Sequence, residues 1–273
     1  MGDLNELENK RAAVKTEIAK LGSAVVAFSG GVDSTLLLAL CLNVLGRERV
    51  MAVTLESALH PSIERGRAAE LAAQLGAQHR VVSFDALDDP DVARNDAERC
   101  YFCKRSVMHV MRSVANELGF AHVVHGANVD DLGDYRPGTR AAVEAGARAP
   151  LQDAGLTKAE IRALSRELGL PTWDAPSMAC LASRFPYGTR LSEEGLQRVD
   201  AAESSLRELT GIRQLRVRDH WPVARIEVPE AELAMLADAE LRARIVARFR
   251  ELDYVYVALD LAGFRSGSMN AVL

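Results

Sequence analysis

Apolar positions follow two different periods along this chain, and the changes of period mark its elements. Ala24-Val25-Val26-Ala27-Phe28 is a short unbroken apolar run. It is too short for a helix and has the β-branched character of a buried strand. Residues 36–45 are apolar almost all round, which suits a buried helix. Further strands are predicted over residues 50–55, 80–84 and 122–125. Helical spacing lies between them, in Ile63, Ala68, Leu71, Ala72 and Leu75, and again in Val107, Met111, Val114 and Leu118. An amphipathic helix over residues 4–21 precedes the first strand. Strands alternating with helices predict right-handed crossovers and an α/β fold, with a parallel sheet covered on both faces.

The second half of the chain changes character. Thr157-Lys158-Ala159-Glu160 is a capping box that opens a helix with Ile161, Leu164 and Leu168 on its buried side. Gly169 ends that helix, and Pro171 prevents its continuation. Residues 173–190 then form an irregular stretch that contains Ala179-Cys180-Leu181-Ala182-Ser183-Arg184. Long connections without regular structure tend to carry function. Beyond them, Leu196, Val199, Leu206 and Leu209 predict a helix closed by Gly211. Residues 213–220 and 223–228 flank Trp221-Pro222 and predict an antiparallel hairpin. A helix over residues 230–252 and a strand over 254–261 complete a smaller α+β domain. The expected division is therefore residues 1–188 and 189–273.

Composition narrows the class. The 273 residues are 48% hydrophobic, enough for one large core or two smaller ones. A net charge of −5 gives no global field for nucleic acid, so no nucleic-acid partner is expected. No apolar stretch is long enough to span a membrane. The charged N-terminal segment lacks a signal-peptide core, and four cysteines in so long a chain indicate a reducing compartment, hence a cytoplasmic protein.

Ser29-Gly30-Gly31-Val32-Asp33-Ser34-Thr35 joins the first strand to the buried helix. A strand, a glycine turn and a helix N-terminus make an anion site: backbone N–H groups point outward, and glycine permits close approach. The segment lacks the lysine of a G-x-x-x-x-G-K-[ST] loop and the spacing of G-x-G-x-x-G. It resembles the pyrophosphate loop of the PP-loop ATP pyrophosphatases. That resemblance implies that Ser29, Gly30, Gly31, Asp33, Ser34 and Thr35 contact the β and γ phosphates of ATP, and that AMP is left on a substrate oxygen. Asp33 beside phosphates requires a bridging Mg²⁺. Thr54 and Ser57 fall at the carboxyl edge of the second strand, where open α/β sheets place ligands.

Three later stretches are more specific. The segment from Gly126 to Gly138, which contains Asn128 and Asp130, the Cys180 stretch, and the terminal Gly263-Phe264-Arg265-Ser266-Gly267-Ser268-Met269-Asn270 together resemble the LarE family over nearly the whole chain. These are ATP-dependent sulfur transferases of nickel-pincer nucleotide biosynthesis. The resemblance implies that ATP adenylates a carboxylate of a pyridinium dicarboxylate mononucleotide and that sulfur displaces AMP to give a thiocarboxylate. It also implies a homo-oligomer, with a hexamer suggested. Cys180 matches the family nucleophile, with Ser183 and Arg184 beside it as catalytic residues; a thiolate is the strongest nucleophile at neutral pH and is favoured by nearby cations. Cys100, Cys103 and Cys180 match a set that binds a [4Fe–4S] cluster in some members, whereas others sacrifice the cysteine itself. The cluster is the favoured expectation, because three soft thiolates leave a coordination position open. A redox pair or inert thiols remain alternatives for Cys100 and Cys103, and Cys41 reads as a buried hydrophobe.

Strand alternation puts Arg216, Arg218 and His220 on one face of the predicted hairpin. With Arg265 they are candidates for holding the substrate phosphate, since guanidinium forks suit it; a solvated charged face is the alternative. Two other functions stay open. One is a different PP-loop enzyme, a tRNA thiolase or an amide-forming ligase such as a NAD synthetase. The other is a non-catalytic nucleotide-binding module.

Overall fold

The structure is a computed structural model that describes residues 2–133, 137–176 and 179–265. Its described residues form two compact units that the chain visits more than once. One takes residues 1–57, 64–84 and 100–177; the other takes 58–63, 85–99 and 178–273. This division differs from a linear split at residue 188, because two excursions from the first half belong with the second unit.

In chain order the helices and strands of the first half are α1 (Gly2–Ala19), β1 (Ala24–Ala27), α2 (Val32–Leu45), β2 (Val50–Glu56), α3 (Arg67–Gln74) and β3 (Gln78–Ser83). They continue with α4 (Pro90–Ala93), α5 (Arg99–Leu118), β4 (His122–Val124), α6 (Pro137–Glu144), α7 (Pro150–Asp153) and α8 (Lys158–Glu167). The four strands form one sheet in the order β3-β2-β1-β4, and every pairing is parallel. Ala24 aligns with Val50 on one side and His122 on the other, so β1 is central. One core cluster packs Leu36, Leu37, Leu40 and Cys41 of α2 against Val14, Ile18, Val26, Val50 and Ile161. A second packs Met108, Met111 and Val114 of α5 against Val25, Val53 and Val123. Val25 and Val26 therefore face opposite cores, and the unbroken apolar run of β1 follows from burial on both faces.

The second unit contains α9 (Glu193–Thr210), β5 (Arg216–His220), β6 (Val223–Glu227), α10 (Ala239–Arg250) and β7 (Tyr256–Leu259). β5 and β6 are antiparallel, with Val217 opposite Ile226, and β7 pairs with β6 in parallel. Leu206, Val217, Ala224, Ile226, Phe249 and Tyr254 fill its core. Two expectations shift here. The helix expected over residues 230–252 is two short 3₁₀ turns followed by α10, because the Asp238 carboxylate accepts the Leu241 N–H at 2.9 Å and caps a new start. The last strand begins at Tyr256, because Tyr254 turns into the core and donates its hydroxyl to Asp219 at 3.1 Å.

Candidate functional site

In the first unit the candidate chemistry gathers where β1 runs into α2. Gly30 adopts φ +73°, a left-handed conformation that glycine accepts without strain. Gly31 caps α2 with no side-chain bond, so the helix start presents backbone N–H groups. Two serines fix the turn. The Ser29 hydroxyl accepts from the Gly31 N–H at 3.3 Å and lies 3.1 Å from the Ser34 hydroxyl, which donates to the Gly31 carbonyl at 3.2 Å. Thr35 is fully buried, and its hydroxyl has no hydrogen-bond partner among the described residues. Gly126, just past β4, lies against this turn. A Cβ there would fall 2.9 Å from the Ser34 nitrogen, so only glycine fits.

Asp33 is the hub of a polar network. Its carboxylate is ion-paired with the Lys158 ammonium and accepts from Asn128 Nδ2 at 3.3 Å. The Lys158 N–H donates to Asp130 Oδ2 at 2.8 Å, and the Asp130 N–H donates to Asn128 Oδ1 at 3.0 Å. Asn128 also caps the 3₁₀ turn Val129–Leu132 in a capping box with Asp131. Asn128 thus contacts Asp33 directly, Asp130 joins through Asn128 and Lys158, and Lys158 completes the set. Thr54 is engaged within the sheet: its hydroxyl donates to the Phe28 carbonyl at 2.7 Å and lies 2.8 Å from His79 Nε2. Ser57 follows the carboxyl end of β2. Burial pushes the His125 imidazole down to about 3, with the nearby Lys104 charge adding to the effect, so this ring is neutral at pH 7. Burial likewise lowers the Lys104 ammonium.

In the second unit the Cys180 loop is held from several sides. Cys180 is half-buried and precedes the 3₁₀ turn Leu181–Arg184, whose first N–H donates to the Leu59 carbonyl at 2.8 Å. Arg184 is fully buried. Its guanidinium pairs with both oxygens of Glu203, at 2.8 and 3.0 Å. The remaining nitrogen donates to the carbonyls of Ala179 and Cys180 and to the Ser183 hydroxyl, at 2.8, 3.2 and 3.0 Å. Arg184 therefore clamps the backbone that carries the thiol. Burial would raise the Glu203 carboxyl, but the guanidinium groups of Arg184, Arg207 and Arg216 outweigh it and hold it below the ordinary value.

Arg216 and Arg218 share this interior, and the solvated-face alternative fails because both are buried. Arg218 donates to the Ser183 carbonyl at 2.6 Å and pairs with Glu227 at 2.7 Å. Arg216 donates to the Leu215 carbonyl at 2.8 Å and lies over the Phe264 ring; burial lowers its guanidinium to about 10, still charged at neutral pH. His220 is exposed beside Arg225, which pairs with Glu227 and Asp260. Arg265 is exposed. Residues 266–270 of the terminal motif and 134–136 of the Gly126 motif lie outside the described residues.

Cys100 and Cys103 occupy the first turns of α5, in the first unit, the former exposed and the latter half-buried. Among the described residues no group of three or more His, Cys, Asp or Glu side chains is gathered to hold a metal ion. Sequence reasoning missed Lys158 and Glu203 as partners. Lys158 carried no signal beyond its place in a capping box. Glu203 did carry one, since it falls on the apolar stripe of Leu196, Val199 and Leu206.

The parallel sheet, the Ser29–Thr35 turn and the Asp33 network define a PP-loop nucleotide-binding protein. A family model described as NAD synthase matches residues 6–173. The chain is 41% identical over 267 residues to the pyridinium-3,5-bisthiocarboxylic acid mononucleotide synthase of Lactiplantibacillus plantarum, covering 98% of this chain and 96% of that protein. An uncharacterized protein of Synechocystis is 40% identical over 267 residues, with 98% of this chain and 99% of that protein covered. The NH(3)-dependent NAD(+) synthetase of Methanosarcina acetivorans is 31% identical over 166 residues, 58% of this chain and 63% of that protein. The chain belongs to the LarE family of PP-loop enzymes. The NAD synthase match ends at residue 173, ahead of Cys180.

Proposed function

We propose that this chain is an ATP-dependent sulfur transferase that converts a carboxylate of a pyridinium dicarboxylate mononucleotide into a thiocarboxylate in nickel-pincer nucleotide biosynthesis. The observation that carries it is Cys180, half-buried on a loop clamped by Arg184, in a chain that also has the Ser29–Thr35 turn. An amide-forming ligase with ammonia as nucleophile has no use for such a thiol.

In this reading Ser29 to Thr35 hold the β and γ phosphates on backbone N–H groups. Asp33, with Asn128 and Lys158 on its carboxylate, is the oxygen donor that a Mg²⁺ ion takes. A substrate carboxylate oxygen attacks the α phosphorus, pyrophosphate leaves, and AMP remains on the substrate. A sulfur nucleophile then attacks the acyl carbon and AMP departs. Thr54 and Ser57 border the nucleotide; Arg216, Arg218 and Arg265 hold the substrate phosphate; Ser183 and Arg184 orient Cys180.

Two sulfur sources follow. In the sacrificial route the Cys180 thiolate forms a thioester, its Cα proton is removed, and the Cβ–S bond breaks with its electrons on sulfur. Dehydroalanine remains in the chain. In the favoured route Cys100, Cys103 and Cys180 would hold a [4Fe–4S] cluster, since soft thiolates suit iron, and that group would supply an exchangeable sulfide. The working protein in this reading is a cytoplasmic homo-oligomer, a hexamer by family likeness, with residues 1–188 as the nucleotide-activating region and 189–273 as the substrate-binding region.

The test is anaerobic incubation with ATP, Mg²⁺ and the dicarboxylate mononucleotide. The expected result is acceptor-dependent AMP and pyrophosphate together with a thiocarboxylate product. Amide formation from ammonia, or ATP binding with no pyrophosphate release, overturns the reading.

A further inference from the structure

The Cys180 loop has a second clamp that the proposed chemistry does not yet use. Asn95 is fully buried and adopts φ 59°, a left-handed conformation that asparagine tolerates better than most residues. Its amide nitrogen donates to the carbonyls of Pro186 and Thr189, both at 3.0 Å. Its backbone carbonyl accepts the Gly188 N–H at 2.9 Å. Arg99, buried and the first residue of α5, donates to Asn95 Oδ1 and to the Ala182 carbonyl, the latter at 3.1 Å. Ala93 accepts the Leu191 N–H at 2.8 Å. Arg184 therefore grips the loop at residues 179 and 180, while Asn95 and Arg99 grip it from 182 to 189.

We propose that Asn95 and Arg99 are positioning residues for the sulfur-transfer step: they fix the loop backbone so that the Cys180 sulfur is delivered to the activated acyl carbon. This rests on the sulfur-transferase reading. Two features separate the role from ordinary packing. The contacts go to four separate points of one loop. Three of the four come from polar side chains that sit where apolar residues would serve a core better. Adenylation draws on the Ser29–Thr35 turn and needs none of these contacts. A misplacement near 1 Å costs about a hundredfold in a step that needs an aligned nucleophile.

The experiment compares the full-length wild type with Asn95→Gly and Arg99→Lys in single-turnover assays. Glycine keeps the left-handed backbone and removes the amide; lysine keeps the charge and loses the fork. Pyrophosphate release and thiocarboxylate formation are followed together, and native iodoacetamide labelling of Cys180 is read by peptide mass. The expected result is a pyrophosphate burst within about twofold of wild type, thiocarboxylate formation slowed about ten- to a hundredfold, and faster Cys180 labelling. Sulfur transfer and labelling at wild-type rates overturn the positioning role, as does a parallel loss of both steps in step with thermal stability. A wild-type protein that releases no pyrophosphate with the acceptor overturns the functional reading instead, and the positioning role with it.

Discussion

Asp33 and Lys158 form an ion pair although 125 residues separate them, one in the first turn of α2 and the other in the first turn of α8. The same lysine uses its backbone N–H to hold Asp130. The nucleotide turn is thus braced from a helix that looks, in sequence, like a plain capped helix. Both partners are partly exposed, so the pair stabilises the fold by less than about 1 kcal/mol. Its value in the proposed reaction lies in the charge it sets beside the turn proposed to hold phosphate.

That difference is measurable. Asp33→Ala removes the oxygen donor expected to meet Mg²⁺, and Lys158→Ala removes the cation beside it. Each variant is expected to keep its melting temperature within a few degrees while pyrophosphate release falls by at least about a hundredfold. Acceptor-dependent release at wild-type rates in either variant would remove that residue from the site.

The Glu203 carboxyl gives a pH prediction. Its folded value lies below the ordinary one, so its stabilising effect is fully present above the unfolded glutamate value of about 4.3 and is lost as the pH falls through the folded value. Glu203→Gln leaves the buried Arg184 guanidinium without its anion and is expected to cost about 3–5 kcal/mol at pH 7. The gap between wild type and variant should then narrow as the pH drops below about 4. Urea titrations across pH 3–7 measure this, and a gap that stays constant would refute the assignment.

Much of this architecture was legible in the sequence because burial on two faces leaves a strong mark. The apolar run at β1, the all-round apolar α2 and the Thr157 capping box each predicted what formed. The interior of the second unit was less legible. Alternation placed Arg216 and Arg218 on one face of β5, but alternation says nothing of what covers that face. Glu227 on the neighbouring strand pairs with Arg218, and Glu203 on α9 pairs with Arg184 of the Cys180 loop, and neither pairing shows in the period of its own element. Asn95 is similar: nothing in residues 90–99 announces a left-handed asparagine whose partners lie some ninety residues later.

The arginines differ in how cleanly they can be tested. Arg218→Ala leaves the buried Glu227 with only Arg225 as an ion-pair partner among the described residues, and loss of fold would obscure any loss of binding. Arg265 is exposed, so Arg265→Ala is the cleaner probe. Removing one charge-assisted hydrogen bond, about 1.5–3 kcal/mol, should weaken binding of the phosphorylated acceptor about ten- to a hundredfold and spare ATP. Calorimetry with the mononucleotide and with its dephosphorylated nucleoside checks this. Equal loss of affinity for both ligands would rule out a phosphate contact.

The sulfur source is decided by the cysteines. Cys41 is an internal control, since burial pushes its thiol up to about 12 and it should resist alkylation at pH 8 in the native protein. If Cys180 is consumed, one turnover removes the elements of H₂S from the chain, and Cys100→Ser and Cys103→Ser leave that turnover intact. If Cys100, Cys103 and Cys180 hold a cluster, the anaerobic protein should be brown and carry about four irons per chain. Added sulfide should then sustain repeated turnover without mass loss, and each of the three serine variants should fail. Cys180→Ser is inactive under both schemes, so Cys100→Ser is the deciding variant. Its expected outcome is loss of iron and of sulfide-supported turnover. The side chain is exposed on the first turn of α5 and has no core to fill, so a packing defect would not account for that loss. A colourless, iron-free anaerobic preparation that ends with stoichiometric dehydroalanine at Cys180 would establish the sacrificial route instead.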